Sequence, residues 1–394
     1  MKYRVTRFVG KFWRQALLYG FVGVVVFGVL FYQLGTLVPN FSLPEILARS
    51  EANSFNKLLA NPLFLPHKLA QYLLIRLGHS GPFWMRSVSA LWGLAVLVIF
   101  FDIIRNWYSR RIAFMGSLLL LTSAWFLHFA RLGTPQILFA MSIGLLWVGV
   151  HLKSTSAPRI RTILASVAIL MICIYIPGLA WLVIPMMVWQ RKLIKFELSK
   201  IPRWLMVVVI ISCLIGIGPL IYGFVNDPWL LRDWLLIPSK LDVGLFWSNL
   251  WHLPVWLILR GPEMPVYWLG HVAMFDSFTL VMGFLGAYVL YYYRLLDRVK
   301  AVAGIILLAL VLAVFSGWLS LVIALPLLFV GVSAGIALFL QQWFTIFPRN
   351  PLARFVGVSL VSFVIILACT YNLRSYFIAW PRTPATKQVF NQLS

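Results

Sequence analysis

The sequence predicts an all-α polytopic membrane protein, and three observations carry that reading. Of the 394 residues, 62% are hydrophobic and only 11% are charged, whereas a soluble domain is about half apolar and about a quarter charged. Mean hydropathy is +0.91. The charges are bunched, and the intervals between the bunches are long enough for helices of about 20 residues that cross a bilayer. The formal net charge is +23. In a soluble chain that excess would point to nucleic acid, but membrane proteins collect Lys and Arg in cytoplasmic loops.

The charge-free intervals then place each span, because a charge at the bilayer centre costs several kcal/mol. Nothing between Arg14 and Glu45 is charged, which puts a first span at about 16–38 behind a basic cytoplasmic start, 1–15. A signal peptide is the competing reading, but the apolar stretch is too long and no small-x-small cleavage site follows it. Further single spans fit 87–104, 112–130, 135–152, 204–224, 275–293 and 355–370. The charge-free interval 162–190 is flanked by basic residues on both sides, so its crossing number is even, and a hairpin turning at Pro177-Gly178 satisfies this. The interval 301–348 has the same flanks and divides near Ser316-Gly317.

The total is about 11 transmembrane helices in one domain, 16–370, with a tail, 371–394, on the outer side. On this topology 21 of the 33 basic residues face the cytoplasm, against 3 of the 10 acids. The expected location is the plasma membrane, N-terminus inside and C-terminus outside. Trp380 in the tail reads as an interfacial anchor. Gly331-Val-Ser-Ala-Gly335 is a GxxxG pattern with a helix-packing role.

Two outer segments, 39–86 and 225–272, are too long to be connectors and hold Glu45, Glu51, Asp227, Asp233, Asp242 and Glu263, with Asp276 just beyond. Ser42-Leu-Pro-Glu45 reads as a capping box opening an amphipathic helix that runs to about Leu59. A second amphipathic helix follows Pro66, with Leu69, Tyr72, Leu73 and Leu77 at helical spacing, Lys68 and Arg76 towards the headgroups, and Gly78 as its stop.

The order of these parts resembles a family. The stretches are LPHKLAQYLLIRLG, then Met85-Arg86-Ser87-Val88 leading into a span, the basic turn Asn106–Arg111, and Arg131-Leu-Gly-Thr-Pro135-Gln136 leading into another. A weaker echo is GHVAMFDSFTLVMGFLGAYV. Together they are similar to the membrane glycosyltransferases of the GT-C superfamily, in particular the bacterial protein-mannosyltransferase and aminoarabinose-transferase-like enzymes of glycosyltransferase family 39. The likeness covers roughly 15–190 well and 260–295 weakly.

The resemblance implies an inverting transferase that moves a sugar from a polyprenyl-phosphate carrier to an acceptor glycan, lipid or protein at the outer face. A carboxylate would deprotonate or orient the acceptor hydroxyl, and basic groups would balance the departing phosphate. Such enzymes carry an Asp-Glu pair or a single Asp early in the first outer loop. Here Glu45 stands nearest that position, Glu51 is the reserve, and Gln136 replaces a frequent acid. Arg131, Arg232, Lys240 and Arg260 are the candidate phosphate and substrate cations, with Glu263, Asp276 and His128 as further binding candidates. Asp276 also suits the N-terminus of a helix, Arg131 suits a snorkelling position, and Glu263 suits a surface pair with Arg260.

The six histidines have no ligand spacing and no nucleotide-binding motif is present, so neither a metal nor another cofactor is expected. The three cysteines, Cys173, Cys213 and Cys369, lie in apolar runs without CxxC spacing. The rival readings are a non-catalytic relative with the same fold, or a transporter or lipid flippase. Charges gathered at span ends count against transport, which places ionisable groups near the midplane.

Overall fold

The computed structural model describes residues 20, 22–154, 160–189, 191, 202–240, 242–262, 264–267 and 272–391. The described residues form helices and turns with no strand. Five helices are long and apolar enough to cross a membrane: Pro82–Trp107, Arg203–Asn226, Asp297–Ser316, Leu325–Ile346 and Pro351–Arg382. A sixth crossing is the broken pair Arg110–Thr122 and Ala124–Arg131, bent by 66°. Shorter apolar helices at Val22–Phe31, Pro135–His151, Ile160–Ile174 and Ser277–Tyr292 fall on the remaining expected spans, as does Ala180–Trp189. The basic start, 1–15, and the cations Lys192, Lys195 and Lys200 lie outside the described residues.

The expected breaks have local causes. Gly178 adopts φ +76° and Gly317 φ +95°, left-handed conformations that glycine takes without a Cβ penalty. The first ends the hairpin of Ile160–Ile174 and Ala180–Trp189, and the second separates Asp297–Ser316 from a 3-10 turn at Trp318–Ile323. The unexpected break lies at Ser123, whose hydroxyl accepts from Phe126 N–H and caps the second half of its span.

The tightest helix pair is Ser277–Tyr292 against Leu325–Ile346. A Cβ on Gly335 would strike the Met282 carbonyl and one on Gly286 would strike the Gly331 carbonyl. The GxxxG pattern therefore works with a third glycine on the facing helix, and the backbones meet where lipid supplies no hydrophobic drive of its own.

The first long segment is not one helix to Leu59 but two, Leu43–Glu51 and Phe55–Ala60, followed by Leu65–Arg76. In the last of these the leucine face is outward and Arg76 is exposed, as an interfacial helix requires, but Lys68 departs from the expectation. His67, Lys68 and Gln71 are buried, while Leu69, Leu73 and Leu77 are exposed. Lys68 turns away from the headgroups to pair with Glu51 at 2.8 Å and to donate to the Asn61 carbonyl at 3.0 Å. Periodicity identifies the two faces of such a helix, but beside lipid the apolar face is the outward one.

The second long segment is also partly apolar helix, Val243–Pro254 running into a π-turn Val255–Leu259. Asp242 caps it, accepting from Gly244 and Leu245 N–H. The two long segments meet at the 177–178 turn. Phe64 N–H donates to Tyr175 O at 2.8 Å, Gly178 N–H to Trp234 O at 2.8 Å and Trp181 Nε1 to Leu235 O at 2.9 Å. Leu63, Tyr175, Leu220, Leu230 and Trp234 pack together beneath them. The far end of the bundle carries a second polar cluster, in which Asp102 accepts from Arg105, Asn106 and Trp147.

Candidate functional site

Glu45 is fully buried, 1% exposed, and every part of its carboxylate is engaged. One oxygen accepts from Arg86 Nε at 2.8 Å and from Gly133 N–H at 2.8 Å. The other accepts from Arg86 Nη2 at 3.1 Å and from Ser42 through its N–H at 2.9 Å and its hydroxyl at 3.0 Å. The expected capping contact is thus made, and a forked guanidinium is added to it. Burial pushes the carboxyl pKa up, but the Arg86 charge and the hydrogen bonds from Arg86, Ser42 and Gly133 outweigh burial and leave it below the usual 4.5.

Arg86, which the sequence reading did not connect with Glu45, also donates to the carbonyls of Val38 at 2.6 Å and Asn40 at 2.8 Å. Together with Glu45, which holds Gly133, it ties the end of the first span, the first long segment and the third-to-fourth span connection into one joint. The signal for it was present: Arg86 stands in the family-like Met-Arg-Ser-Val lead-in.

Around this joint lies a buried polar layer. Ser89 Oγ donates to Thr134 O at 3.1 Å, so its hydrogen bond with His67 Nε2 at 2.9 Å requires His67 to donate. Gln71 Nε2 donates to Gly133 O at 3.0 Å. Burial, and after it the Lys68 charge, bring the His67 pKa down to about 3, so the ring is neutral. Tyr267 reaches the layer from the second long segment. Its hydroxyl pKa is pushed up, chiefly by burial and in part by the Glu45 charge.

Tyr267 in turn leads to a cleft. Its ring stacks on Phe129 at 5.3 Å and meets Trp318 edge-on at 5.4 Å. Trp318 forms one wall of a cleft of about 460 Å³ whose other walls are Ser248, His252, Val255, Trp256, Arg260, Gly261, Pro262 and Met264. Three backbone hydrogen bonds, Gly261 to Val272, Met274 to Trp256 and Phe275 to Leu257, hold the 256–261 backbone against its returning chain. The π-turn at Val255–Leu259 gives that backbone a bulged geometry, a feature common at functional sites.

Of the expected site residues, Arg260 alone among those described lines this cleft. Glu263 lies outside the described residues. Lys240 lines a second cavity of about 280 Å³ with Asp242, Trp247 and Phe315. Arg232 lies over the Trp229 ring at 5.5 Å. Glu51 is the half-exposed partner of Lys68.

Arg131 does not snorkel. It is buried and donates through Nη2 to Tyr32 O at 2.6 Å, through Nη1 to Val29 O at 2.5 Å and through Nε to the Tyr376 hydroxyl at 3.2 Å, with Phe377 4.7 Å from its Cζ. Asp276 caps Ser277–Tyr292 and accepts from Asn372 Nδ2 at 3.0 Å. His128 is buried, edge-on to Tyr376 and Trp380.

Trp380 is not an interfacial anchor but 1% exposed, and Phe390 beyond it packs 6.0 Å from the Arg86 guanidinium. The reason is common to Arg131 and Trp380. The tail returns into the bundle, where Tyr376 and Phe377 lie against Arg131 and Trp380 packs on His128 and Phe390. Among the described residues no group of three metal-ligating side chains occurs.

No protein-family model and no curated protein matches the sequence. Solved structures do. ArnT from Cupriavidus metallidurans in the apo state aligns with a TM-score of 0.52 at 15% identity, over 98% of this chain and 78% of that one. The same protein bound to undecaprenyl phosphate aligns with a TM-score of 0.55 at 15% identity, over 96% and 78%. The chain has the ArnT fold. This is the GT-C-like architecture that the order of segments implied, and it extends through the second half, where the sequence resemblance was weak. In this ArnT-like bundle the Glu45–Arg86 joint, the polar layer and the cleft form one continuous region between the two long segments.

Proposed function

We propose that the protein is a multi-pass membrane glycosyltransferase that takes a sugar from a polyprenyl-phosphate carrier and passes it to an acceptor at the outer face of the membrane. The observation that carries this reading is the likeness to ArnT along nearly the whole chain, including a structure of ArnT bound to undecaprenyl phosphate. The cleft adds a local argument, since it combines a cation, Arg260, with the apolar walls a lipid-linked substrate needs.

The reaction is a single displacement. The acceptor oxygen bonds to the anomeric carbon as the bond to the carrier phosphate breaks, the acceptor proton leaves to a base, and the centre inverts. Arg260 is the cation for the departing phosphate. Glu45 acts in this reading as a positioning residue. Its carboxylate is spent on Arg86, Gly133 and Ser42, in the polar layer next to Tyr267, whose ring packs on the cleft residue Trp318. Arg131, His128 and Asp276 belong to the frame of the site.

The test is sugar transfer from a prenyl-phosphate donor in membranes, normalised to folded protein. Arg260→Ala lowers turnover at least about tenfold, in keeping with the loss of one charge-assisted contact. Glu51→Gln, whose side chain touches neither Arg86 nor the cleft walls, leaves it within about twofold. Full activity of folded Glu45→Gln would remove Glu45 from the mechanism. The second reading is a relative that holds the carrier without transferring, and the closed Glu45–Arg86 pair favours it. Binding of the carrier with no turnover under any donor would establish it.

A further inference from the structure

The cleft has one feature that a lipid phosphate alone does not use. Two indoles, Trp256 and Trp318, line it together with Ser248 and His252. Gly261 lets this wall pair closely with the returning chain, because a Cβ there would stand 2.8 Å from the Val272 carbonyl. Beneath it Trp125 is buried at 2% exposure and meets Trp318 edge-on at 5.6 Å, which fixes the indole that lines the cleft.

Building on the transferase reading, we propose that this cleft is the subsite for the pyranose ring of the donor. The ring lays its apolar C–H face on Trp256 and Trp318, the two indoles that line the cleft. The physical basis is that the C–H bonds on one face of a pyranose are weakly positive, and the indole face is negative. The hydroxyls on the ring edge meet Ser248 and His252. This arrangement divides the labour within one cleft: Arg260 faces the phosphate and the two tryptophans face the sugar.

The experiment is thermal unfolding of the full chain in lipid nanodiscs, free of sugar-headed detergent. The probes are citronellyl phosphate and the same prenyl phosphate carrying mannose, glucose, galactose or N-acetylglucosamine. A ligand that binds only the folded state raises the unfolding midpoint. The expected result is that at least one glycosylated probe raises it further than citronellyl phosphate does. Trp256→Leu abolishes that extra rise and keeps the response to citronellyl phosphate, and Trp256→Phe keeps most of both. Trp318→Leu behaves as Trp256→Leu does. Because Trp318 packs on Trp125, Phe129 and Tyr267, the half-buried Trp256 decides the matter where the Trp318 variant does not fold.

Equal responses to bare and glycosylated probes overturn the sugar subsite and leave the lipid-phosphate reading standing. An extra rise that survives in Trp256→Leu overturns the subsite as well. No response to any probe overturns both.

Discussion

Glu45 shows how much one buried carboxylate can organise. It and Arg86 are 41 positions apart, both closed to solvent, and share two hydrogen bonds. Removing one partner of a buried pair costs about 3–5 kcal/mol, because the other charge is left without compensation. Glu45→Ala is therefore expected to lower the unfolding midpoint sharply, and the double variant Glu45→Ala/Arg86→Met to recover part of the loss; thermal unfolding of the four proteins of the cycle measures both. Arg86→Lys does not restore the wild-type midpoint, since a single ammonium cannot reproduce the fork.

The same layer makes the protein acid-labile by two routes of the same sign. The lowered carboxyl of Glu45 contributes stability that is present above the ordinary 4.5 and is lost as pH falls through its folded value. His67, held neutral with a pKa of about 3 against an ordinary 6.5, must be charged on acidification, so the unfolded chain binds the extra proton. Its contribution is complete above 6.5 and is lost as pH falls from 6.5 towards 3, at up to about 1.4 kcal/mol per pH unit. His67→Gln, which keeps a donor for Ser89, is expected to flatten stability between pH 6.5 and 4.5; a parallel pH profile for variant and wild type would contradict this assignment.

At the scale of the element, the two halves of the GxxxG pattern are predicted to differ. A Cβ on Gly331 has nothing within 4 Å, whereas one on Gly335 strikes the Met282 carbonyl. Gly331→Ala is expected to be tolerated and Gly335→Ala to cost about 1–3 kcal/mol or more by overpacking, read as the thermal midpoint and the monodisperse yield. The elements also show what was legible. Charge-free intervals located a helix for every expected span, and Gly178 and Gly317 fixed two turns, because hydropathy and left-handed backbone are local properties. The leucine face of Leu65–Arg76 was legible from its period, whereas the burial of Lys68 was not, because its partner Glu51 lies on another helix. The break at Ser123 was hidden within an otherwise continuous apolar run.

For the whole molecule, the order of segments was enough to anticipate the ArnT fold, although no family model matches. The site was only partly legible. Arg260 and the 225–272 segment were singled out, but the two indoles that line the cleft come from residues 256 and 318, which converge only in three dimensions. The two long segments, the 177–178 turn and the tail are linked by contacts, and the proposed topology puts them all outside. The prediction is that a membrane-impermeant maleimide labels Lys387→Cys in intact cells and reaches Arg110→Cys only after permeabilisation. Both side chains are exposed, and the reverse pattern would invert the orientation.

Phe390 closes over Arg86, and Tyr376 and Phe377 close over Arg131. The beginning of the chain is thus finished by a segment that leaves the ribosome after all the intervening spans. Until residues 376–390 are made, the aromatic covers of Arg86 and Arg131 are missing, although Glu45 can already pair with Arg86. The order of the chain therefore makes this covering a late event in assembly. A tag or fusion that draws residues 380–390 out of the bundle would mimic that unfinished state.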